Sequence, residues 1–176
     1  MRSLPNIKTY STLLGNEIEV CIVPPSQFVT DHQHQLLPNW DVPISYLILV
    51  LQRSSVSLKK PMTEVSHEKN QLRARFIRFG CGLIFALQDR EAQSDLFDPG
   101  TGYPLLANSD QALDDNAVVG ATLGYWVTSY QQCSLLTHPV WEHNVYPSVI
   151  ATSASLEAII LCIEEIISNL NWRSKY

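Results

Sequence analysis

The chain has 176 residues, a length that fits one domain able to bury a sizeable core. Apolar residues make up 45% of it and charged residues 16%, an ordinary globular composition that argues against disorder and against a fibrous fold. The net charge of −5, without a long basic run, argues against a general nucleic-acid-binding protein.

The sequence also indicates in which cellular compartment the protein is found. No apolar stretch reaches the length that spans a bilayer, and the N-terminus lacks the apolar run of a signal peptide, so we expect a cytoplasmic protein. The four cysteines are widely spaced, with no CxxC pair, and in a chain that is not exported we expect them to be reduced thiols.

The first third of the chain predicts an arm, two strands and a short helix. Residues 1–17 are polar and irregular, and we interpret them as a flexible N-terminal arm before a single domain over 18–172. The alternating, β-branched segment 18–25 predicts a strand. Residues 26–40 predict a short helix, and the continuous apolar run 44–52 predicts a strand that is buried on both faces.

Helical periodicity identifies two longer elements. A stripe of apolar residues at spacings of three and four predicts a long helix over 66–88, with Ser66 as its N-cap. The stripe consists of Leu72, Phe76, Phe79, Leu83 and Leu87. A second stripe, from Leu156 to Leu170, predicts a helix near the end of the chain.

The segments between these helices predict strands and turns. Residues 94–106 predict a short strand and a dense turn, and 117–127, 133–137 and 145–153 predict further strands. The sequence therefore predicts the α+β class, with a mainly antiparallel sheet, a long central helix and a C-terminal helix.

Cys133 and His138 are the first candidates for a functional site. A cysteine and a histidine five residues apart could act as nucleophile and base, but the segment has no glycine-flanked nucleophile elbow and no carboxylate at a diagnostic spacing. A zinc site would need further ligands, and the other cysteines and histidines are isolated. On spacing alone, the better interpretation of Cys133 is a small buried apolar side chain.

The segment DPGTG at 98–102 allows two interpretations. It could be a phosphate-binding loop, but it lacks the lysine of that motif and does not clearly open a helix. A structural turn is the better interpretation, in which Asp98 accepts backbone donors, Pro99 fixes its own φ and Gly102 takes a positive φ.

The order of these segments resembles a known family. SDLFDPGTGYPLLA, followed by LGYWVTSYQQCSLLTHPVWEHNVYPSVIATSA, is similar to the C-terminal domain of the methylmalonic aciduria and homocystinuria type D proteins, which are cobalamin-trafficking adaptors. The resemblance covers roughly residues 18 to 160. The positions that carry it are Asp98, Pro99, Gly102, Leu123, Gly124, Tyr125, Cys133, His138, Trp141, Val145, Ile150, Thr152 and Ala154.

The resemblance implies a fold and a function. It implies a nitroreductase-like domain that has lost flavin binding and enzymatic activity, with no cofactor bound tightly to the chain alone. It further implies binding to a cobalamin-carrying or cobalamin-dependent partner, either a type C-like processing protein or methionine synthase. A loop cysteine, here Cys133, would ligate the cobalt of the partner's cobalamin, and Gln132, His138 and Trp141 would be further cofactor-binding residues beside it. A homodimer stays open as an assembly state.

Two departures from the family pattern bear on this expectation. Eukaryotic members carry two adjacent cysteines in the loop, and the first of them, the better candidate ligand, aligns with Gln132 in this chain. The long N-terminal region of those members has no counterpart before residue 18, which favours a short, prokaryote-like member over a mitochondrial one.

Two further classes of function stay open at this point. A flavin-dependent, nitroreductase-like oxidoreductase would need a basic cluster for the flavin phosphate, and the sequence shows none at a recognisable place. A scaffold or assembly protein could reuse the same fold for an unrelated partner.

Overall fold

The structure is a computed structural model that describes residues 6–130 and 132–175. Eight strands are present in this part of the chain: β1 Ile7–Ser11, β2 Glu17–Val23, β3 Tyr46–Arg53, β4 Ser94–Leu96, β5 Trp126–Tyr130, β6 Cys133–Thr137, β7 Val145–Thr152 and β8 Arg173–Ser174. The helices are α1 Gln27–Asp31, α2 Gln33–Leu36, α3 Met62–Gln88, α4 Asp115–Leu123 and α5 Leu156–Asn169.

Six of the strands form one sheet in the order β4-β7-β3-β2-β1-β8, and each neighbouring pair is antiparallel. The remaining two, β5 and β6, form a separate antiparallel hairpin. This arrangement confirms the predicted α+β class with a mainly antiparallel sheet. The likeness to nitroreductases remains a prediction from the family resemblance.

The two central strands, β3 and β7, are buried on both faces of the sheet. Because successive side chains of a strand point to opposite faces, an uninterrupted apolar run needs cover on both sides. On one face Ile48 and Val50 pack in a cluster with residues of α3 and α5. On the other face Leu47 and Leu49 pack in a cluster with residues of α1, α2 and α4.

The long helix α3 is confirmed, but its start is not at Ser66. It begins at Met62 after Pro61, which stands at the N-cap position without a side-chain hydrogen bond. Proline is well suited to this end of a helix because its fixed φ is compatible with the first turn, whereas Ser66 lies one turn further inside. The predicted apolar stripe is buried, and Phe76 and Phe79 are among its largest side chains.

The strand predicted over 117–127 is wrong, because this segment contains α4 and only the start of β5. The Asp114 side chain caps α4 by accepting from the backbone N–H of Ala117 at 3.1 Å. Gly124 ends the helix in the left-handed conformation, with φ 75°. An apolar run of this length fits a strand or a helix equally well, and the two caps decide between them.

The flexible arm predicted over 1–17 is wrong for the residues that the structure describes. Residues Ile7–Ser11 form β1, which pairs with β2 along its whole length and with β8 at Tyr10 and Ser11. Only Tyr10 of this strand is buried, so the strand owes its formation to pairing with its neighbours rather than to an apolar pattern. Residues 1–5 of the predicted arm lie outside the described part.

The remaining helix predictions are confirmed. The segment 26–40 contains the short helices α1 and α2, and the C-terminal stripe forms α5, capped by the Ser155 hydroxyl. None of the helices described in 6–130 and 132–175 is long and apolar enough to cross a membrane.

Candidate functional site

Cys133 lies at the tip of the β5–β6 hairpin, outside the main sheet. It is the first residue of β6 and pairs with Tyr130, so two residues connect the strands. Gln132, the second of them, has φ 65° and an exposed side chain, whereas residue 131 lies outside the described part. Cys133 is exposed, and the interpretation as a small buried side chain is therefore wrong.

The hairpin has an outer and an inner face. Residues that pair directly across two strands lie on the same face, so Trp126, Tyr130 and Cys133 share the outer face. Trp126 is 79% exposed and Tyr130 39% exposed, and the ammonium group of Lys59 lies 5.4 Å from the centre of the Tyr130 ring. The thiol is thus part of a solvent-facing surface with two aromatic side chains.

The inner face fixes the hairpin to the domain. Leu136 is buried in the apolar cluster that also contains residues of α4, and Val127 packs against that cluster. The Asn116 side-chain amide donates to the Ser134 backbone oxygen at 3.2 Å, and the Ser134 hydroxyl donates to the Asp114 carboxylate at 3.0 Å. These contacts involve Val127, Ser134 and Leu136, whereas Trp126, Tyr130 and Cys133 on the outer face stay exposed.

His138 and Trp141 belong to the core rather than to the exposed surface. They are 3% and 5% exposed, and their rings stack at a centroid distance of 4.2 Å. The Nδ1 atom of His138 accepts from the backbone N–H groups of Val140 and Trp141, so the proton is on Nε2, which donates to Glu19 at 3.1 Å. This bond ties the far end of β6 to β2.

The structure does not bring Cys133 and His138 together. They stand at opposite ends of β6, and at the usual rise of a strand their Cα atoms are roughly 16 Å apart. The nucleophile–base interpretation is therefore wrong. Of the four residues predicted to flank or form the site, the structure leaves Gln132 and Cys133 at the exposed tip and places His138 and Trp141 at the buried base.

The Asp98–Gly102 turn packs against α3. The Arg73 guanidinium pairs with both carboxylate oxygens of Asp98, and this pairing holds the pKa of Asp98 below its usual value although burial acts in the opposite direction. The Asp98 carboxylate also accepts from the backbone N–H of Gly100 at 2.9 Å. Gly102 has φ 80°, and its carbonyl accepts from the N–H of Leu113 at 2.8 Å.

Asp95 is a buried carboxylate that the sequence analysis did not single out. It accepts backbone N–H groups of Leu105, Leu106 and Ala107 at 2.8–3.1 Å and so fixes the path of the chain after the turn. Burial raises the pKa of Asp95, and these amide donors oppose that effect. No sequence motif predicts this contact, because it depends on how the loop that contains residues 105–107 folds back onto β4.

These features define a class of protein: an α+β domain with one main antiparallel sheet and a separate hairpin that presents a cysteine and two aromatic side chains to solvent. The family model described as "Methylmalonic aciduria and homocystinuria type D protein" matches residues 6–163. The chain belongs to this family, which confirms the resemblance and supports a general role in cobalamin trafficking. Among curated proteins, no significant match to the chain is found.

We expect Gly102→Val to destabilise the protein more than Gly124→Val. Both glycines have a positive φ, for which a side chain costs about 1–2 kcal/mol. A Cβ atom at Gly102 would also lie 2.6 Å from the Leu113 carbonyl oxygen, whereas none at Gly124 meets an atom within 4 Å. Urea denaturation of both variants measures the difference. A Gly102→Val protein as stable as Gly124→Val would contradict a structural role of the turn.

We expect native protein to react rapidly with Ellman's reagent at Cys133, because Cys21 and Cys162 are buried and Cys81 is half-buried. Cys133→Ser should abolish the fast phase, and Cys81→Ser should leave it intact. His138→Gln should also leave its rate unchanged in folded protein, because His138 is far from the thiol. A rate that falls several-fold in folded His138→Gln would show that His138 affects the reactivity of the Cys133 thiol and would contradict this expectation.

Proposed function

We propose that this chain is a non-enzymatic adaptor in intracellular cobalamin trafficking. It binds a cobalamin-carrying or cobalamin-dependent protein through the outer face of the β5–β6 hairpin and offers the Cys133 thiolate to the cobalt. The observation that carries the proposal is the exposure of Cys133 at the hairpin tip, beside Tyr130. Membership of the family supports the choice of cobalamin as the cofactor of the partner.

The chemistry of the four cysteines favours Cys133 as the ligand. A metal takes the thiolate form, and thiolate is a soft donor suited to the cobalt of a corrin. Burial raises the pKa of Cys21 to about 11 and also raises the pKa values of Cys81 and Cys162, which disfavours their thiolates. These three side chains are also less accessible than Cys133 to a metal that stays bound in a partner.

The outer face of the hairpin suits a protein contact. Trp126 and Tyr130 supply large, rigid side chains of the type that dominates binding energy at protein interfaces. The partner would be a type C-like processing protein or methionine synthase, as the family resemblance implies. In this proposal His138 and Trp141 do not touch the cofactor; they hold the base of the hairpin through Glu19 and so position its tip.

Gln132 takes the place at which eukaryotic family members carry the first of two adjacent cysteines. Its amide is a hard donor and does not replace a thiolate at cobalt. Gln132 adopts the left-handed conformation that the turn requires, so this position shapes the tip and brings residue 133 to its edge. In this proposal Cys133, rather than residue 132, is therefore the cobalt ligand.

The test is a visible spectrum of the protein mixed with a cobalamin-loaded partner. We expect a new cobalt–thiolate band with the wild-type chain and none with Cys133→Ser, because serine lacks the soft donor. Cys81→Ser is the matched control and should keep the band. Gln132→Cys, which restores the adjacent pair, should keep or strengthen it.

Two outcomes of this experiment contradict the ligand role. If wild type and Cys133→Ser both produce the band, another group ligates the cobalt. If both bind the partner equally and neither alters the spectrum, the chain recruits its partner by surface contacts alone. Loss of binding in Trp126→Ala, with the melting temperature retained, then shows whether the outer face of the hairpin is the contact surface.

A further inference from the structure

A cavity of about 440 Å³ lies where α3, the Asp98–Gly102 turn, the start of α4, β6 and β7 meet, and Cys133 is not part of its lining. Its volume falls within the range of sites that bind small molecules, roughly 300–1,000 Å³. Two of its lining side chains, Asp115 and His143, have buried polar atoms without a hydrogen-bond partner in the described part of the chain.

Asp115 is the unusual member of this lining. It is 8% exposed, and its carboxylate accepts no hydrogen bond from any residue of 6–130 or 132–175. Its neighbour Asp114, by contrast, accepts from the Ala117 N–H and from the Ser134 hydroxyl. A buried carboxylate without a donor is costly, so its presence beside a cavity needs a reason.

The surroundings of the Asp115 carboxyl group are negatively charged, and no cationic side chain of the described chain pairs with it. Burial raises its pKa well above the usual value, and the negative charges of Asp114 and Asp98 raise it further. Arg73, which also lines the cavity, already pairs with both carboxylate oxygens of Asp98. A positively charged hydrogen-bond donor in the cavity would satisfy Asp115 and relieve this repulsion.

A positively charged side chain of α3 also lines the cavity. Lys69 lines it and forms no ion pair or hydrogen bond within the described part of the chain. Beside it, the Asn70 side-chain amide is also without a partner there. One wall therefore offers donors to an anion, while the start of α4 offers an acceptor to a cation.

We propose that this cavity binds a small zwitterion, with a primary ammonium group at Asp115 and a carboxylate or phosphate group at Lys69. The unpartnered Nδ1 atom of His143 gives such a ligand a further polar contact. This site is independent of the cobalt ligand proposed for Cys133, since the thiol is on the outer face of the hairpin and does not line the cavity.

Nuclear magnetic resonance of the full chain tests the proposal with defined probes. Glycine, γ-aminobutyrate and phosphoethanolamine are titrated while the amide signals of Gly100 and Asn116, at the cavity wall, are followed. Acetate and methylammonium serve as single-charge controls. We expect at least one zwitterion to give saturable shifts and to bind about tenfold or more tightly than either control.

Two variants separate a binding role from a structural one. Asp115→Asn should weaken the best zwitterion about tenfold or more without lowering the melting temperature, because the buried carboxyl group it removes has no hydrogen-bond partner in the described part of the chain. Lys69→Met tests the other end of the ligand. It removes no ion pair or hydrogen bond within the described part of the chain, so it remains informative even if Asp115→Asn is unstable. Asp110→Asn, on an exposed loop outside the cavity, is the control.

The proposal is overturned if no zwitterion shifts these signals at tens of millimolar. It is equally overturned if the single-charge controls bind as tightly as the zwitterions, or if Asp115→Asn and Lys69→Met both bind like wild type. A large drop in stability for Asp115→Asn together with unchanged binding in Lys69→Met assigns the carboxylate a structural role instead.

Discussion

The antiparallel pairing of β3 with β7 is the constraint on which the rest of the structure depends. Both strands are mostly apolar and nearly all of their residues are buried, so each face of the sheet has to be covered by other elements. α3 and α5 cover one face, and α4 with the short helices covers the other. β4 and β2 flank the pair in the sheet, and the hairpin of β5 and β6 forms outside it.

This position gives the hairpin one anchored end and one free end. The bond between His138 and Glu19 and the burial of Leu136 hold its base and inner face, while Cys133 stays exposed at the tip. A thiolate that has to reach a metal in another protein needs both accessibility and a rigid support. The same arrangement explains why His138 matters to the hairpin without being a chemical partner of the thiol.

The sequence predicted the parts of the fold that have a clear period. The stripes of α3 and α5 were unambiguous because a helical spacing persists over several turns. The segment 117–127 was mispredicted because an apolar run fits either type of element, and only the caps Asp114 and Gly124 distinguish them. The contact of His138 with Glu19 joins positions 119 residues apart, so no local pattern could reveal it.

The most direct test of the central claim is the alkylation rate of Cys133 with and without a cobalamin-loaded partner. The reaction is followed by mass spectrometry of the labelled peptide, with partner binding checked in the same sample and Cys81 as the internal reference. We expect complex formation to slow alkylation of Cys133 at least tenfold and to leave the rate at Cys81 unchanged. A complex that forms while Cys133 reacts at its free rate would contradict the account, because the hairpin tip would then lie outside the interface.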